Sequence, residues 1–258
     1  MFLRSPRPDL LETRDNFGIV ASSLGDNNLK SNLLSYWDLT PASSYNDLTN
    51  NGSNLTLINS PSGDNTNGVL LNGTNQYLSV ASNSYLQFTS SDFTIAGWIN
   101  PTSLAANGSY NFIVCQDNIG VGRNWGVIYD PTTADTKLNF QIFNSSGSAF
   151  SVKSNFQPTI NNWYFLVATH STSAKKITFI VFEGSTTTPV YAGVVTYTGT
   201  LATNSLLTTF GCVLISGSPN FYFNGRLKQW GIWSRTLTGS DILQLHNSGN
   251  GLFFSSLD

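Results

Sequence analysis

One stretch sets the terms for this chain: Phe93-Thr94-Ile95-Ala96-Gly97-Trp98-Ile99-Asn100-Pro101. It is rich in β-branched and aromatic residues, too short for a stable helix, and closed by a proline. In an extended strand, Phe93, Ile95, Gly97 and Ile99 face one way and Thr94, Ala96, Trp98 and Asn100 the other. Both rows are mostly apolar or small. A strand of this kind has to be covered on both sides, so it reads as an inner strand and the chain must supply layers above and below it.

Many further short apolar segments fit such layers. Leu33–Leu39, Leu55–Ile58, Asn111–Gln116, Trp125–Tyr129 and Lys137–Phe143 read as strands, the last alternating Leu138, Phe140 and Ile142 against Asn139, Gln141 and Phe143. Ala149–Val152, Trp163–His170, Lys176–Phe182, Val190–Tyr197 and Phe210–Ile215 continue the pattern. Asn-Gly pairs at Asn72-Gly73 and Asn224-Gly225 predict two hairpins, Val69–Leu71 with Tyr77–Val80 and Phe221–Phe223 with Leu227–Trp233. One helix is expected near the end, where Thr238-Gly239-Ser240-Asp241 has a capping-box pattern and Asn247-Ser248-Gly249 a stop. Such an order predicts an all-β, two-sheet antiparallel sandwich with one short C-terminal helix.

Composition narrows the partners. Only 10% of the 258 residues are charged and the net charge is −2, with Asn, Ser and Thr supplying the polarity. No basic field exists to hold a phosphate backbone, which argues against nucleic acid. No apolar run is long enough to insert in a membrane. Cys115 and Cys212 lie in apolar surroundings and read as small core residues, with a disulfide between them as the other reading.

Residues 1–31 stand apart from the sandwich, residues 32–258. They carry Arg4, Arg7 and Arg14, two prolines and the patch Phe17-Gly18-Ile19-Val20, with no sustained period. Arg4, Arg7, Arg14 and Phe17 are the expected contacts of an N-terminal anchoring arm held by the domain, a second copy or a partner. The opening Met1-Phe2-Leu3-Arg4-Ser5-Pro6 breaks off before a signal-peptide apolar region forms.

The order of landmarks resembles a known family. Tyr36-Trp37-Asp38 is followed by Asp47 and Asn51-Gly52, then by Gly68-Val69-Leu70-Leu71-Asn72-Gly73-Thr74-Asn75-Gln76-Tyr77-Leu78 and the Phe93–Pro101 stretch. Later come Asn162-Trp163-Tyr164-Phe165, Phe223-Asn224-Gly225-Arg226-Leu227-Lys228-Gln229-Trp230-Gly231-Ile232-Trp233 and Leu245-His246-Asn247-Ser248-Gly249. The series, from about Leu33 to Gly251, is similar to a laminin-G-like domain of the concanavalin A-like lectin/glucanase superfamily. The resemblance implies a jelly-roll sandwich in which Trp98 and Trp163 fill the space between sheets. Lys228 stands where that family often has an acid, and Phe182-Glu183-Gly184 where it often has a Val-Asn-Gly turn.

Some members of the superfamily cleave glycans with paired carboxylates, but the only glutamates here are Glu12 and Glu183. Asp117, Asp130 and Asp135 all sit in turn-forming contexts, so no acid pair suited to glycoside hydrolysis is visible. The resemblance also implies calcium at the sandwich rim, for which Asp47, Asp64, Asp117 and Asp130 are the available donors. Sugar sites combine a flat aromatic with planar polar groups. Asn107-Gly108-Ser109-Tyr110 and Gln116–Trp125 have those types, and Tyr110, Asp117, Asn118, Arg123 and Asn124 are the expected ligand-binding residues. The combined reading is a non-enzymatic structural or adhesion module on a virion surface, capsid decoration or tail-associated. It would be held to other assembly proteins by its arm, capable of self-association, and in contact with host or environmental glycans. A free carbohydrate-binding lectin, extracellular, is the alternative, with a glycan hydrolase behind it.

Overall fold

The computed structural model describes residues 28–87, 90–105, 109–132 and 137–257. The arm residues Arg4, Arg7, Arg14 and Phe17 lie outside them, as do Asn107 and Asp135. In chain order the strands are β1 (Leu33–Trp37), β2 (Thr56–Ile58), β3 (Ser62–Asp64), β4 (Gly68–Asn72), β5 (Tyr77–Val80) and β6 (Phe93–Ser103). Then come β7 (Asn111–Ile119), β8 (Gly122–Tyr129), β9 (Leu138–Phe143), β10 (Ala149–Lys153), β11 (Tyr164–Ser171) and β12 (Lys176–Glu183). The last are β13 (Tyr191–Thr196), β14 (Thr208–Phe210), β15 (Val213–Ile215), β16 (Ser218–Asn220) and β17 (Asn224–Trp233), followed by helix α1 (Gly239–His246).

They form two sheets, a two-layer antiparallel sandwich of jelly-roll type. The first runs β13-β12-β11-β6-β17-β4-β3, with β1 also on β17. The second runs β10-β9-β8-β7-β14-β5-β2, with β15 on β7 and β16 on β15. β6 lies between β11 and β17, as its two apolar rows require. Phe93, Ile95 and Ile99 join the core between the sheets, alongside Trp37, Trp125 and Trp230. Ala96 and Trp98 point the other way, into a second cluster with Phe165, Trp233, Ile242 and Leu245, beneath α1. Gly97 occupies the one inward position where the strand has no room. A Cβ there would overlap the indole of Trp230.

Two expected hairpins are absent, each for its own reason. β4 and β5 belong to opposite sheets. Val69 and Leu71 therefore face Leu78 and Val80 across the core rather than beside them. Each such side chain gains about 1.5–3 kcal/mol on burial, against about 0.5–1.5 kcal/mol for a turn hydrogen bond. Asn72-Gly73 instead opens the crossover. Asn72 Oδ1 accepts the backbone N–H groups of Thr74, Asn75 and Gln76 at 3.0–3.2 Å. Asn224-Gly225 lies inside β17, where the register against β6 shifts. A Cβ on Gly225 would run into the Asn100 carbonyl and Pro101.

A third expectation also changes. Trp98 and Trp163 do not fill the space between the sheets. They meet edge-on at 6.4 Å, and Trp98 belongs to the cluster on the outer face of the first sheet. The helix forms as its sequence predicts. Thr238 Oγ1 accepts the Asp241 N–H at 3.2 Å, and Asp241 Oδ2 accepts the Thr238 N–H at 2.9 Å. Cys115 and Cys212 are buried free thiols, and burial pushes the Cys212 thiol up to about 12. Asp47, expected as a cation donor, is a buried peg for β1. Its oxygens accept from the backbone N–H groups of Tyr36, Thr49 and Ser53 and from the Thr49 hydroxyl.

Both histidines are interior. His170 Nδ1 lies 2.8 Å from the Ser91 carbonyl and donates to it, while Nε2 accepts the Tyr197 hydroxyl at 2.7 Å. His246 stacks on Trp98 and donates through Nε2 to the Gly184 carbonyl at 2.9 Å. Burial holds both imidazoles below the ordinary value of 6.5. A neutral buried histidine binds fewer protons than its unfolded counterpart, so stability falls as pH drops through the unfolded value. The unfolding midpoint in urea should therefore decrease between about pH 7 and about pH 5, and His170→Gln should flatten part of that slope. Gly97→Ala should cost about 1–3 kcal/mol by overpacking against Trp230, read by urea denaturation.

Candidate functional site

The second sheet carries a different outer face. On β9, Leu138, Phe140 and Ile142 point into the core. Strand alternation turns Asn139, Gln141 and Phe143 outward. Opposite them on β8 stand Ile128, facing Asn139, and Gly126, facing Gln141. Outward from β7, Phe112 and Cys115 pack with Ile128 and Val213 in a small third cluster, edged by Tyr110, Ile119, Ile215 and Phe221. The β15–β16 hairpin thus covers only one side of this face. Beside it lies a furrow of about 230 Å³ lined by Tyr110, Phe112, Ile128, Gln141, Arg123 and Asp130, with Phe221 and Ile119 closing its flank.

The chemistry of the furrow is aromatic and amide-rich. Tyr110 meets Phe221 edge-on at 5.2 Å, so the aromatic wall is held in place. Gln141 is 8% exposed and Asn139 2%. Neither side-chain amide hydrogen-bonds to another described residue, and Asn139 Oδ1 is fully buried without a partner. Of the two, only Gln141 lines the furrow, so its amide is the one with capacity left for a ligand.

Arg123 is fixed from below. Its Nε lies 2.9 and 3.0 Å from the two Asp117 oxygens and its Nη2 lies 2.7 Å from Oδ2. Its guanidinium also lies 3.9 Å over the Phe143 ring. Asp117 is wholly buried beneath it. Burial pushes that carboxyl up, and the guanidinium opposes the push. No described residue bonds Nη1, which is left as a fixed donor on the furrow wall.

Of the residues expected to bind ligand, Tyr110 and Arg123 line the furrow. Asp117 holds Arg123. Asn118 Oδ1 accepts the Gly217 N–H at 3.0 Å. Asn124 is buried and bonds Gln116 Oε1 and the Asn204 carbonyl, each at 2.7 Å, which fastens the rim instead of facing a ligand. Gln141, Asn139 and Phe221 were not singled out from the sequence. The signal for the first two was there, as amides on the polar row of an alternating strand.

The four proposed calcium donors do not converge. Asp47 is enclosed by N–H and O–H donors, Asp64 meets Arg226 at 2.9 Å, Asp117 meets Arg123, and Asp130 accepts from the Thr132 N–H and hydroxyl. Among the described residues no group of three or more His, Cys, Asp or Glu could hold a metal ion. Asp47, Asp64 and Asp117 are already held by internal donors and Asp130 stands without a second carboxylate in such a group, so the four do not fit calcium. No helix among the described residues is long and apolar enough to cross a membrane.

Two sheets, the rim crossovers and the capping helix define a concanavalin A-like sandwich. A family profile described as the concanavalin A-like lectin/glucanases superfamily, Laminin_G_3, matches residues 72–243, and the chain belongs to that family. No curated protein matches the sequence. Among solved structures, the botulinum neurotoxin serotype D binding domain superposes with a TM-score of 0.62 at 11% identity, over 88% of this chain and 56% of that one. The serotype C1 binding domain gives 0.62 at 14% identity, over 86% and 53%. The binding domain of neurotoxin DC, solved with rat synaptotagmin II, gives 0.62 at 15%, over 87% and 56%. The chain thus spans about half the length of the chains it matches, and at these identities the likeness is one of fold.

The Asp117–Arg123 pair is the part of the site most open to test by stability. Arg123→Ala should cost about 3 kcal/mol, because it strands a buried carboxylate. Arg123→Ala combined with Asp117→Asn should recover part of the loss, both read as urea midpoints.

Proposed function

We propose that this chain is a non-enzymatic glycan-binding module and that the furrow on the second sheet is its site. The observation that carries the reading is the Gln141 amide, which lines the furrow beside its aromatic wall and bonds no other described residue. Planar amides offer a donor and an acceptor side by side, which suits neighbouring sugar hydroxyls. The aromatic wall of Tyr110 and Phe221 offers an apolar surface to the C–H face of a ring. Arg123 adds a fixed donor. The solved neighbours lend support: the neurotoxin DC binding domain, about half of which this sandwich matches, has been solved in complex with SialylT and with synaptotagmin II.

A finer reading places the module on the surface of a larger particle, as capsid decoration or a tail-associated protein, held through its N-terminal segment. The charge-poor composition supports it. Leu29 is fully buried, its carbonyl accepts the Trp233 indole N–H at 2.7 Å, and the Ser31 carbonyl accepts Arg235 Nε at 3.1 Å. Leu29 belongs to the fold, so a truncation that tests anchoring has to stop at Asn27.

On a glycan array the full chain should give a selective set of hits, and Gln141→Ala should weaken the best of them about tenfold, or about 1.4 kcal/mol. An array silent at all glycans would overturn the glycan reading. Removal of residues 1–27 should leave the urea midpoint unchanged and abolish co-sedimentation with the particle. Full occupancy by the truncated chain would overturn the anchoring reading.

A further inference from the structure

A second hollow, of about 380 Å³, lies where the chain leaves β1 and shares no lining residue with the furrow. Asp38, Thr40, Ser43, Leu48, Phe253 and Phe254 line it. Local hydrogen bonds fix its walls. Thr40 caps the short 3-10 turn Pro41–Ser43, and the Thr40 and Ser43 hydroxyls are spent on each other and on that turn. Asn65 Oδ1 accepts the Ala42 N–H at 2.9 Å, which ties the turn to the loop after β3. The Phe254 N–H donates to Asp38 Oδ1 at 3.0 Å, which brings the C-terminal segment against the end of β1.

Asp38 is the one charged group among the described residues that line this hollow. Its Oδ1 serves Phe254, while no described residue donates to Oδ2 and no described cation forms an ion pair with it. Burial pushes the carboxyl up, and the Phe254 N–H opposes the push. A half-buried carboxylate with an idle oxygen gains from a cation that enters beside it. Phe253, in the same hollow, is 40% exposed, so its ring is open to contact. The fold already lays one cation on the neighbouring ring, with Lys30 Nζ 5.0 Å from the Phe254 centroid.

The lining restricts what fits. An anion meets no positive lining group. A metal ion meets a single carboxylate, short of the several hard oxygen ligands it needs. A primary ammonium brings three donors to one idle carboxylate oxygen. A guanidinium suits the hollow better, because it is planar and weakly hydrated, offers an N–H edge to a carboxylate and stacks its face on an aromatic ring.

We propose that this hollow receives an arginine side chain of a protein partner, with the guanidinium edge on Asp38 and its face on Phe253. On the particle reading that partner is the scaffold, since the described chain enters the domain beside the hollow, where Lys30 meets Phe254. Only the identity of the partner rests on that reading; the chemistry of the hollow does not.

The test is an NMR titration of the full chain with N-acetylarginine amide, followed at the Phe254 and Ser43 backbone amides, with N-acetyllysine amide as the comparison. Saturable shifts at both amides are expected, with about fivefold tighter binding of the arginine probe. Asp38→Asn, which keeps an acceptor for the Phe254 N–H, and Phe253→Ala, at an exposed position, should each lose these shifts while the urea midpoint stays near that of the parent chain. No shift with the arginine probe, equal binding of the two probes, or undiminished binding by Asp38→Asn overturns the arginine site. Co-sedimentation of the Asp38→Asn chain with the particle then tests the partner. Reduced occupancy supports the scaffold, and full occupancy overturns that assignment. Silence of the arginine probe, with removal of residues 1–27 still abolishing co-sedimentation, strikes the hollow alone and leaves the particle reading standing.

Discussion

The contact between β6 and β17 holds the molecule in register. Trp230 lies across the Gly97 position and donates its indole N–H to the Trp98 carbonyl at 3.2 Å. One indole thereby settles which face of β6 looks inward. A one-residue slip would turn Phe93, Ile95 and Ile99 out of the core and bring Trp98 into it. β17 carries this register onward. Its other edge pairs with β4 along its first half and with β1 along its second, so two strands lie end to end beside it. The bulge between Lys228 and Gly231, where Gln229 adopts a φ of 52°, makes the change of partner possible.

The architecture was largely readable from residue type. β6 has two apolar rows, β9 alternates, and Thr238 with Asp241 form their capping box, because each of these patterns is decided within a few residues. What misled was also local. Asn72-Gly73 and Asn224-Gly225 are strong turn signals, yet one is a crossover and the other a bulge. A turn signal records only that the backbone needs unusual angles or close approach. It does not say which sheet receives the next strand. That choice was made by burial, through Val69 and Leu71 on one side and Leu78 and Val80 on the other.

The site was less readable, for a related reason. Asp117, Asn118 and Asn124 have the residue types of a sugar site, but type does not reveal whether a polar atom already has a partner. Asn124 is occupied by Gln116 and Asn204, the latter eighty residues away in sequence. Gln141 and Asn139 looked ordinary on an exposed row. They gain meaning only once Gly126 and Ile128 are seen beside them and no donor or acceptor is found to complete them. Tyr110 and Arg123 are legible in the sequence as the flat aromatic and the planar polar group that a sugar site combines. Phe221, which the Asn224-Gly225 signal assigns to a hairpin strand, lies outside the strands and walls the furrow.

The described chain begins and ends on the outer face of the first sheet. Leu29 and Leu257 are both buried there, the Leu252 carbonyl accepts the Tyr36 hydroxyl at 2.6 Å, and Lys30 lies over the Phe254 ring. The furrow lies on the opposite side of the sandwich. A pull applied at the start of the described chain and a ligand in the furrow would therefore act on opposite faces of the sandwich. Any tension between them would cross the thickness of the domain, pulling the two sheets apart instead of unzipping one strand at an edge. The element that resists such a load is the interlocked core, with Trp37, Trp125 and Trp230 at its centre.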